Sequence, residues 1–482
     1  MFGYAGVAID NMDEDGVYCD RLLRDLDKAA CAVRSAENIL IVTHIDADGI
    51  SSGGIASITL DRLGKRYSIS FEKKITEETI AMINGSDSDL VWVCDLGSAY
   101  VSEFKRRGIV ITDHHVPDIR IKGRQASIED FDGIHHLNPH TYGISGSYEI
   151  CGAGMTYLLS KTIEAANTDL AFLAVVGAVG DLQDARESEL IGLNRAILND
   201  AVSSGDVAVE RDIRYYGRDY RPLVQFLQFG NDPPVPGITD DGPRCAEFFS
   251  NLGIPLKDGS GPRSWRDLTA DEKRTASERL LSYLDTEDAK KRLFGEIYTI
   301  TRYESQTGLR DVKEFATVLN SCGRYDDAVT GLRICRGDLT ALDDAERNRL
   351  DHRKNISSAI GYIKENRLLK ERRFVQYFDA GPEIRETVVG IVAGILLNSG
   401  EARKELPIFA FADADDGVKV SARANRSLTD RGLDLSFVMK TASEMVGGYG
   451  GGHKVAAGAT IPKGKEEEFL GIVEDLVSSQ II

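Results

Sequence analysis

Five short segments hold residues whose types and spacing could do chemistry together. They are Thr43-His44-Ile45-Asp46-Ala47-Asp48-Gly49, Cys94-Asp95-Leu96-Gly97, Asp113-His114-His115, Gly180-Asp181 and Gly450-Gly451-Gly452-His453. In the first four, aspartates and histidines close apolar runs that read as β-strands. Carboxylate and imidazole together are a ligand set suited to Mn2+ or Mg2+. Two such ions a few ångströms apart are a common device for breaking phosphate esters. The fifth segment reads as a glycine turn beside a histidine, a backbone that can approach a phosphate closely.

Each signal also has a plainer structural reading. His44, Asp46 and Asp48 stand at i, i+2 and i+4, which on a strand end would put all three on one side before Gly49 lets the chain turn. Asp-x-Asp-Gly is equally a common turn. Asp95 and Asp181 could each be a cap. The pair in Asp113-His114-His115 is sharper, because two histidines after an apolar strand are uncommon and His is a favoured metal ligand. Four such signals in order, each closing an apolar run, weigh more together than apart. His135, His136 and His140 form a further cluster with no carboxylate at ligand spacing. They read as a polar loop near the active edge, where Asn138 and His140 could touch substrate. The glycines before His453 are followed by Ala456-Ala457-Gly458, which permits tight packing, and His453 and Arg423 are good phosphate partners.

Elements must position these residues. An amphipathic helix is expected over residues 16 to 38, from Leu22, Leu23, Leu26, Ala29, Ala30 and Val33. Ile39 to Val42 reads as a buried strand leading to His44, and Gly49 to Leu63 as a small-residue helix closed by Gly64. Tyr67 to Phe71, Leu90 to Cys94 and Gly108 to Thr112 read as strands, the last two ending at Asp95 and Asp113. Cys151 to Ala165 reads as a helix, and the apolar run Leu173 to Val179 as a strand ending at Asp181. Strands alternating with helices imply a parallel sheet covered on both faces, with functional groups gathered at its carboxyl edge.

Past about residue 190 the character changes. Asp232 to Gly237 is a turn-rich break, and Thr269 to Leu284 is a helix opened by a capping box at Thr269 and Glu272. Residues 215 to 340 hold no second ligand cluster and read as an inserted, mostly helical module, either a docking surface for association or a wall that shapes a substrate channel. Leu342 to Lys370 is a long polar helix linking domains. A second α/β domain then follows, with the strand Phe374 to Phe378, a helix over Val388 to Leu397, the strand Ile408 to Ala412, the Ser421-Ala422-Arg423 segment and the glycine turn 447 to 452.

A chain of 482 residues is expected to divide into two or three domains. It has no run of about eighteen apolar residues, which excludes a transmembrane helix, and no signal-peptide pattern follows Met1. Seven cysteines with no Cys-x-x-Cys pair point to free thiols in a reducing cytoplasm. The net charge of −18 argues against a generally basic nucleic-acid binder. A local basic groove suffices for a few nucleotides, and part of the acidity is the ligand set itself.

With these motifs in place, the chain resembles the DHH phosphoesterase superfamily, named for Asp-His-His. His44-x-Asp46-x-Asp48, Asp95, Asp113-His114-His115 and Asp181 match its N-terminal motifs in order, and Gly451-Gly452-His453-x-x-Ala456-Ala457-Gly458 matches the DHHA1 subgroup. The plan is similar to RecJ-like single-strand exonucleases of the archaeal type, to which Ser421-x-Arg423 and Leu309 to Phe315 also fit. The resemblance covers residues 35 to 190 and 370 to 475 well. The insert stands where Cdc45 and its archaeal relatives carry an interaction module.

The resemblance implies an α/β fold: a parallel-sheet DHH catalytic domain with an N-terminal helix (1–205), a helical insert (206–340), a linker helix (341–372) and a smaller α/β DHHA1 domain (373–482). It implies two Mn2+ (or Mg2+), with His44, Asp46 and Asp95 on one ion and Asp48, Asp95, His114 and Asp181 on the other. Asp95 would bridge, His115 would face the substrate phosphate, and Asp113 would orient the histidine pair. Ser421, Arg423, Gly451, Gly452, His453 and His140 would bind substrate. The implied activity is exonucleolytic hydrolysis of single-stranded DNA or RNA in replication or repair. Implied partners are a single nucleic-acid strand, replisome proteins such as GINS, and a second copy of the chain, with no membrane. Alternatives are a phosphodiesterase of short oligonucleotides and a Cdc45-like scaffold with little catalysis.

Overall fold

The computed structural model describes residues 20–117, 120–121, 124–125, 133–304 and 308–481. They fall into two units, residues 1–346 and 347–482. The expected N-terminal helix is α1 (Asp20–Ser35); its expected start before Asp20 lies outside the described residues.

Apolar runs without alternation are stable only between two covering layers, and they build the sheet of the first unit. Its strands are β1 (Asn38–His44), β2 (Arg66–Glu72), β3 (Leu90–Cys94), β4 (Ile109–Thr112) and β5 (Ile134–Leu137), in the order β2-β1-β3-β4-β5 with every neighbouring pair parallel. Register fixes the carboxyl edge. Thr43 stands beside Cys94, Cys94 beside Thr112, and Thr112 beside Leu137. The next residues, His44, Asp95, Asp113 and Asn138, therefore form one row. The segment around His135 and His136, expected as a polar loop, is the edge strand β5. Only its Leu137 is fully buried, so its sequence lacks the apolar run of an inner strand.

Helices α2 (Ala47–Arg62), α4 (Gly152–Ile163), α5 (Ala171–Gly180) and α6 (Gly192–Ser203) share an apolar cluster with α1 and one sheet face, and α3 (Glu77–Gly85) sends Ile83 into the cluster on the other face. Two expectations are corrected here. Leu173 to Val179 is not a strand but the middle of α5. That helix packs against α2, α4 and α6, and a helix buried all round shows no periodicity by which to tell it from a buried strand. Nor do His44, Asp46 and Asp48 share a strand end. His44 ends β1, Asp46 is the N-cap of α2, and Asp48 lies in its first turn, because the Asp46 carboxylate accepts the Gly49 N–H at 2.9 Å and starts a helix there.

Strands β6 (Val207–Ile213) and β7 (Phe294–Ile300) pair antiparallel, Val207 with Ile300 and Ile213 with Phe294. Between them, residues 214–293 form a mostly helical module with its own core, which includes Phe226, Phe249 and Trp265. The expected capping box of Thr269 and Glu272 opens the helix Ala270–Leu281. The stretch drawn as one insert over 206–340 divides in two. Helices α11 (Val312–Arg324) and α12 (Ala328–Cys335), numbered after the module's four, return to the first core, with Phe315, Leu319, Cys322 and Ile334 among its members.

The second unit begins within α13 (Leu342–Glu365). Its sheet has the order β8-β9-β10-β11-β13-β12, made by β8 (Lys370–Glu371), β9 (Gln376–Asp379), β10 (Ile408–Ala414), β11 (Gly417–Arg423), β12 (Tyr449–Gly452) and β13 (Ala456–Ile461). Alternation on β10 divides the core. Ile408, Ala410 and Ala412 meet α14 (Glu386–Ser399), while Phe409 and Phe411 join the helices Leu435–Met445 and Glu466–Ile481. The expected glycine turn is largely the edge strand β12, paired Gly450–Ala459, Gly451–Gly458 and Gly452–Ala457. Glycine is needed for close packing: a Cβ on Gly450 would stand 2.8 Å from the Met439 carbonyl oxygen. Among the described residues no helix is long and apolar enough to cross a membrane.

Candidate metal centre

The row at the carboxyl edge and the two helix termini beside it bring six predicted ligands together. Three groups of side chains each place their donor atoms within 4.8 Å of one another: His44 with Asp46 and Asp95, Asp48 with His114 and Asp181, and Asp95 with His114 and His115. His44 Nδ1 stands 2.9 Å from Asp46 Oδ2 and 3.4 Å from Asp95 Oδ2. His114 Nε2 stands 3.3 Å from Asp95 Oδ1, 3.2 Å from Asp181 Oδ2 and 3.6 Å from Asp48 Oδ2. Asp95 thus serves both sides, one oxygen each.

Each ligand is aimed by a neighbour. The His114 Nδ1–H donates to the Gly146 carbonyl at 2.5 Å, which leaves Nε2 facing the carboxylates. The N–H groups of Gly152 and Ala153, at the start of α4, donate to Asp48 Oδ2 and Oδ1 at 2.7 and 2.8 Å. Asp95 has φ +57, a conformation that aspartate tolerates better than most residues. Asp113 points away from the ligand set. Its Oδ1 accepts the His115 Nδ1–H at 2.8 Å and its Oδ2 the Ser98 N–H at 2.8 Å. Behind it, Asn138 Nδ2 donates to Ser98 Oγ and to the His115 carbonyl, both at 2.8 Å.

The donor set fits divalent cations. Asp95 Oδ1 and Oδ2, His44 Nδ1 and His114 Nε2 are all buried and make no hydrogen bond. Four carboxylates converge with two imidazoles, a charge that burial makes costly unless cations offset it. Protonation answers that cost where no cation does. Burial, then the charges of Asp95 and Asp181, push the Asp48 carboxyl up, and burial also raises Asp181. Burial opposes the charged form of His44 and His114, yet the neighbouring carboxylates raise both well above the ordinary imidazole value. Burial likewise works against Asp113, but His115 holds it well below the usual carboxylate range.

Metal binding must displace those protons. The apparent Mn2+ affinity is therefore expected to rise with pH through the neutral range. Calorimetric titration in two buffers of different ionisation heat should show more than one proton released per chain at pH 7, and a release of none would contradict the assignment.

The other histidines stay outside these groups. His136 Nε2 bonds Ser98 Oγ at 2.9 Å, and burial lowers this histidine to about 4. Burial also lowers His135 and His140. His140 donates its N–H to Asn138 Oδ1 at 3.0 Å and lies against Gly146.

In the second unit the predicted substrate residues meet at one end of the sheet. Ser421 stands beside Gly458, and Gly458 beside Gly451; Arg423 stands beside Ala456. His453 follows β12 in the hairpin, with its N–H donating to the Ala456 carbonyl at 2.8 Å. Gly390 of α14 packs on this end, since a Cβ there would come within 2.9 Å of Ser421 Oγ.

Sequence reasoning missed the end of α11. The Ala47 N–H donates to Asn320 Oδ1 at 3.0 Å, and Gly323 packs so closely on the Ile45 carbonyl that no Cβ fits. Burial disfavours the Arg324 charge, while the Asp46 carboxylate supports it. The one available signal was a glycine inside a helical pattern, which marks close packing without naming its partner.

Known proteins resemble this chain in sequence and in fold. A family model for the DHH-CID domain matches residues 215–293, and one for the DHHA1 domain matches residues 372–479. An uncharacterized protein of Methanocaldococcus jannaschii is 30% identical over 473 residues, covering 95% of this chain and 99% of its own. The structure of RecJ in complex with Mn2+ from Thermus thermophilus is 17% identical with a TM-score of 0.57, covering 95% of this chain and 55% of that one. That of Cdc45 from Entamoeba histolytica is 13% identical with a TM-score of 0.60, covering 95% and 98%. At these identities the two structures share the fold.

Proposed function

The chain belongs to the DHH phosphoesterase superfamily, RecJ-like and related to Cdc45 in fold, and from that premise we propose that it is a two-metal exonuclease of single-stranded DNA or RNA. The observation that supports this most is the sharing of Asp95 between two groups of ligand atoms. His44, Asp46 and Asp95 would hold one Mn2+ or Mg2+, and Asp48, Asp95, His114 and Asp181 the other. When bound, such a pair offsets the charge of a scissile phosphate and lowers the pKa of a water. Desolvation opposes the charge of His115, yet the Asp113 carboxylate raises it above the ordinary imidazole value and holds its Nδ1–H, so the other ring nitrogen, Nε2, would face a phosphate oxygen. Asp113 fixes that ring. Ser421, Arg423, the Gly451-Gly452 backbone and His453 would take the strand's phosphates, and His140 would touch substrate beside Gly146.

The Cdc45-like fold supports a second role. The module of residues 214–293 has its own core, and among the described residues it adds no metal-ligand group. It would serve as a docking surface for replication or repair proteins. The complete ligand set argues against a scaffold alone.

Digestion of end-labelled single strands, DNA and RNA, with Mn2+, Mg2+ or chelator tests the activity. Metal-dependent shortening from an end supports it. Cleavage confined to strands of a few nucleotides favours an oligonucleotide phosphodiesterase. A metal-loaded protein that cleaves no single strand refutes it. Arg423→Ala and His453→Ala are each expected to raise KM about tenfold and to retain Mn2+. Loss of bound Mn2+ by elemental analysis would remove both residues from the substrate site.

A further inference from the structure

Leu182 is 63% exposed directly after Asp181, and Val116 is 73% exposed directly after His115. Each of these open apolar side chains sits one residue from a side chain of the ligand groups. Two residues after Gly146 and three after Gln183 the chain carries an aromatic ring and a guanidinium that meet. Tyr148 is 39% exposed, and Arg186 Cζ lies 4.8 Å from the centre of its ring. Arg186 has an ion-pair neighbour in Glu187 at 3.4 Å, and its side chain is half exposed.

The two segments that carry this pair are tied to the centre by one buried amide. The Gly146 carbonyl accepts both the His114 Nδ1–H at 2.5 Å and the Gln183 Nε2–H at 2.9 Å. Gln183 Nε2 also donates to the Ile150 carbonyl at 3.2 Å, and its Oε1 accepts from Asn194 Nδ2 at 2.5 Å. Tyr148 thus follows the carbonyl that orients a ligand by two residues, and Arg186 follows the amide that holds that carbonyl by three.

We propose that Tyr148 and Arg186 form a stacking subsite for a nucleobase, that of the nucleotide whose phosphate occupies the metal centre. The inference rests on the single-strand reading above. A phosphodiester held at the ligands carries its sugar and base onto the residues immediately around them. A ring and a guanidinium plane grip any base by its flat face, with apolar side chains excluding water at its edges. Such a grip is indifferent to sequence, as an enzyme that degrades strands of any sequence requires. Arg186 is ill suited to be a phosphate clamp instead, because Glu187 stands beside its guanidinium.

The test compares strands that carry either a normal nucleotide or an abasic sugar at the attacked end. Tyr148→Ala should raise KM about tenfold on the normal strand and leave the abasic strand within about twofold. Tyr148→Phe should stay near the wild type on both, Arg186→Ala should act in the same direction as Tyr148→Ala, and Mn2+ binding should be unchanged in all three. An unchanged KM on the normal strand, or an equal loss on both strands, overturns the subsite while leaving the exonuclease reading in place. A wild-type protein that cleaves neither strand overturns both.

Discussion

In Asp95→Ala, metal-dependent cleavage is expected to fall by about a thousandfold or more, since loss of a shared ligand withdraws several kcal/mol of transition-state stabilisation. Both carboxylate oxygens of Asp95 are buried without a hydrogen bond and each faces a different histidine, so the one side chain joins both ligand groups. Bound Mn2+ should drop in parallel by elemental analysis. Alanine also tolerates the +57 φ less well than aspartate, so Asp95→Asn is the cleaner variant. It keeps the shape and the backbone preference and removes the charge. Both variants should fail with the fold intact; near-normal activity in Asp95→Asn, or full wild-type activity in excess chelator, would sink the metal mechanism.

Gly177→Ala is expected to destabilise the first unit by about 2 kcal/mol or more and to weaken Mn2+ binding, although intrinsic propensity favours alanine in a helix by about 1 kcal/mol. Packing decides the sign. A Cβ at this position of α5 would lie 2.4 Å from Asp48 Oδ1 and 2.7 Å from the Ala153 Cβ. The Asp48 carboxyl group would have to leave the N–H groups of Gly152 and Ala153 while remaining buried, a loss of about 1–3 kcal/mol. Gly394→Ala in α14 is the matched control, because nothing lies within 4 Å of its added methyl. It should be stabilising by about 0.5–1 kcal/mol. Denaturant midpoints would separate the two, and equal shifts would refute the packing argument.

Much of this was legible in the residues. His44, Asp95 and Asp113 follow apolar runs, and a parallel sheet puts the ends of such runs at one edge, so their meeting could be expected before any coordinates. Asp48 and Asp181 were expected there for a partly mistaken reason. Both belong to helix ends rather than strand ends, because continuous burial erases the period that separates the two structures. Asn138 is legible as a polar residue near the edge, but its bonds to Ser98 and His115 depend on the pairing of β4 with β5, which no local pattern encodes. Asn320 and Arg324 lay beyond reach altogether. Some 270 residues separate Asn320 from Ala47, and only the return of α11 to the first core brings them together.

The side-by-side register of Thr43, Cys94, Thr112 and Leu137 makes the sheet a ruler for the chemistry above it. A strand advances about 3.3 Å per residue, close to the roughly 3.5–4 Å that separates paired catalytic ions. One residue gained or lost inside β1, β3 or β4 would carry a donor nearly a full ion spacing along the edge and turn it to the opposite face. Substitutions can accumulate in such strands while the graduation stays true, but insertions and deletions cannot. Strand lengths in distant relatives should therefore be held constant while the loops beyond the carboxyl edge vary, and a residue deleted from β3 should displace Asp95 from the two ligand groups it joins.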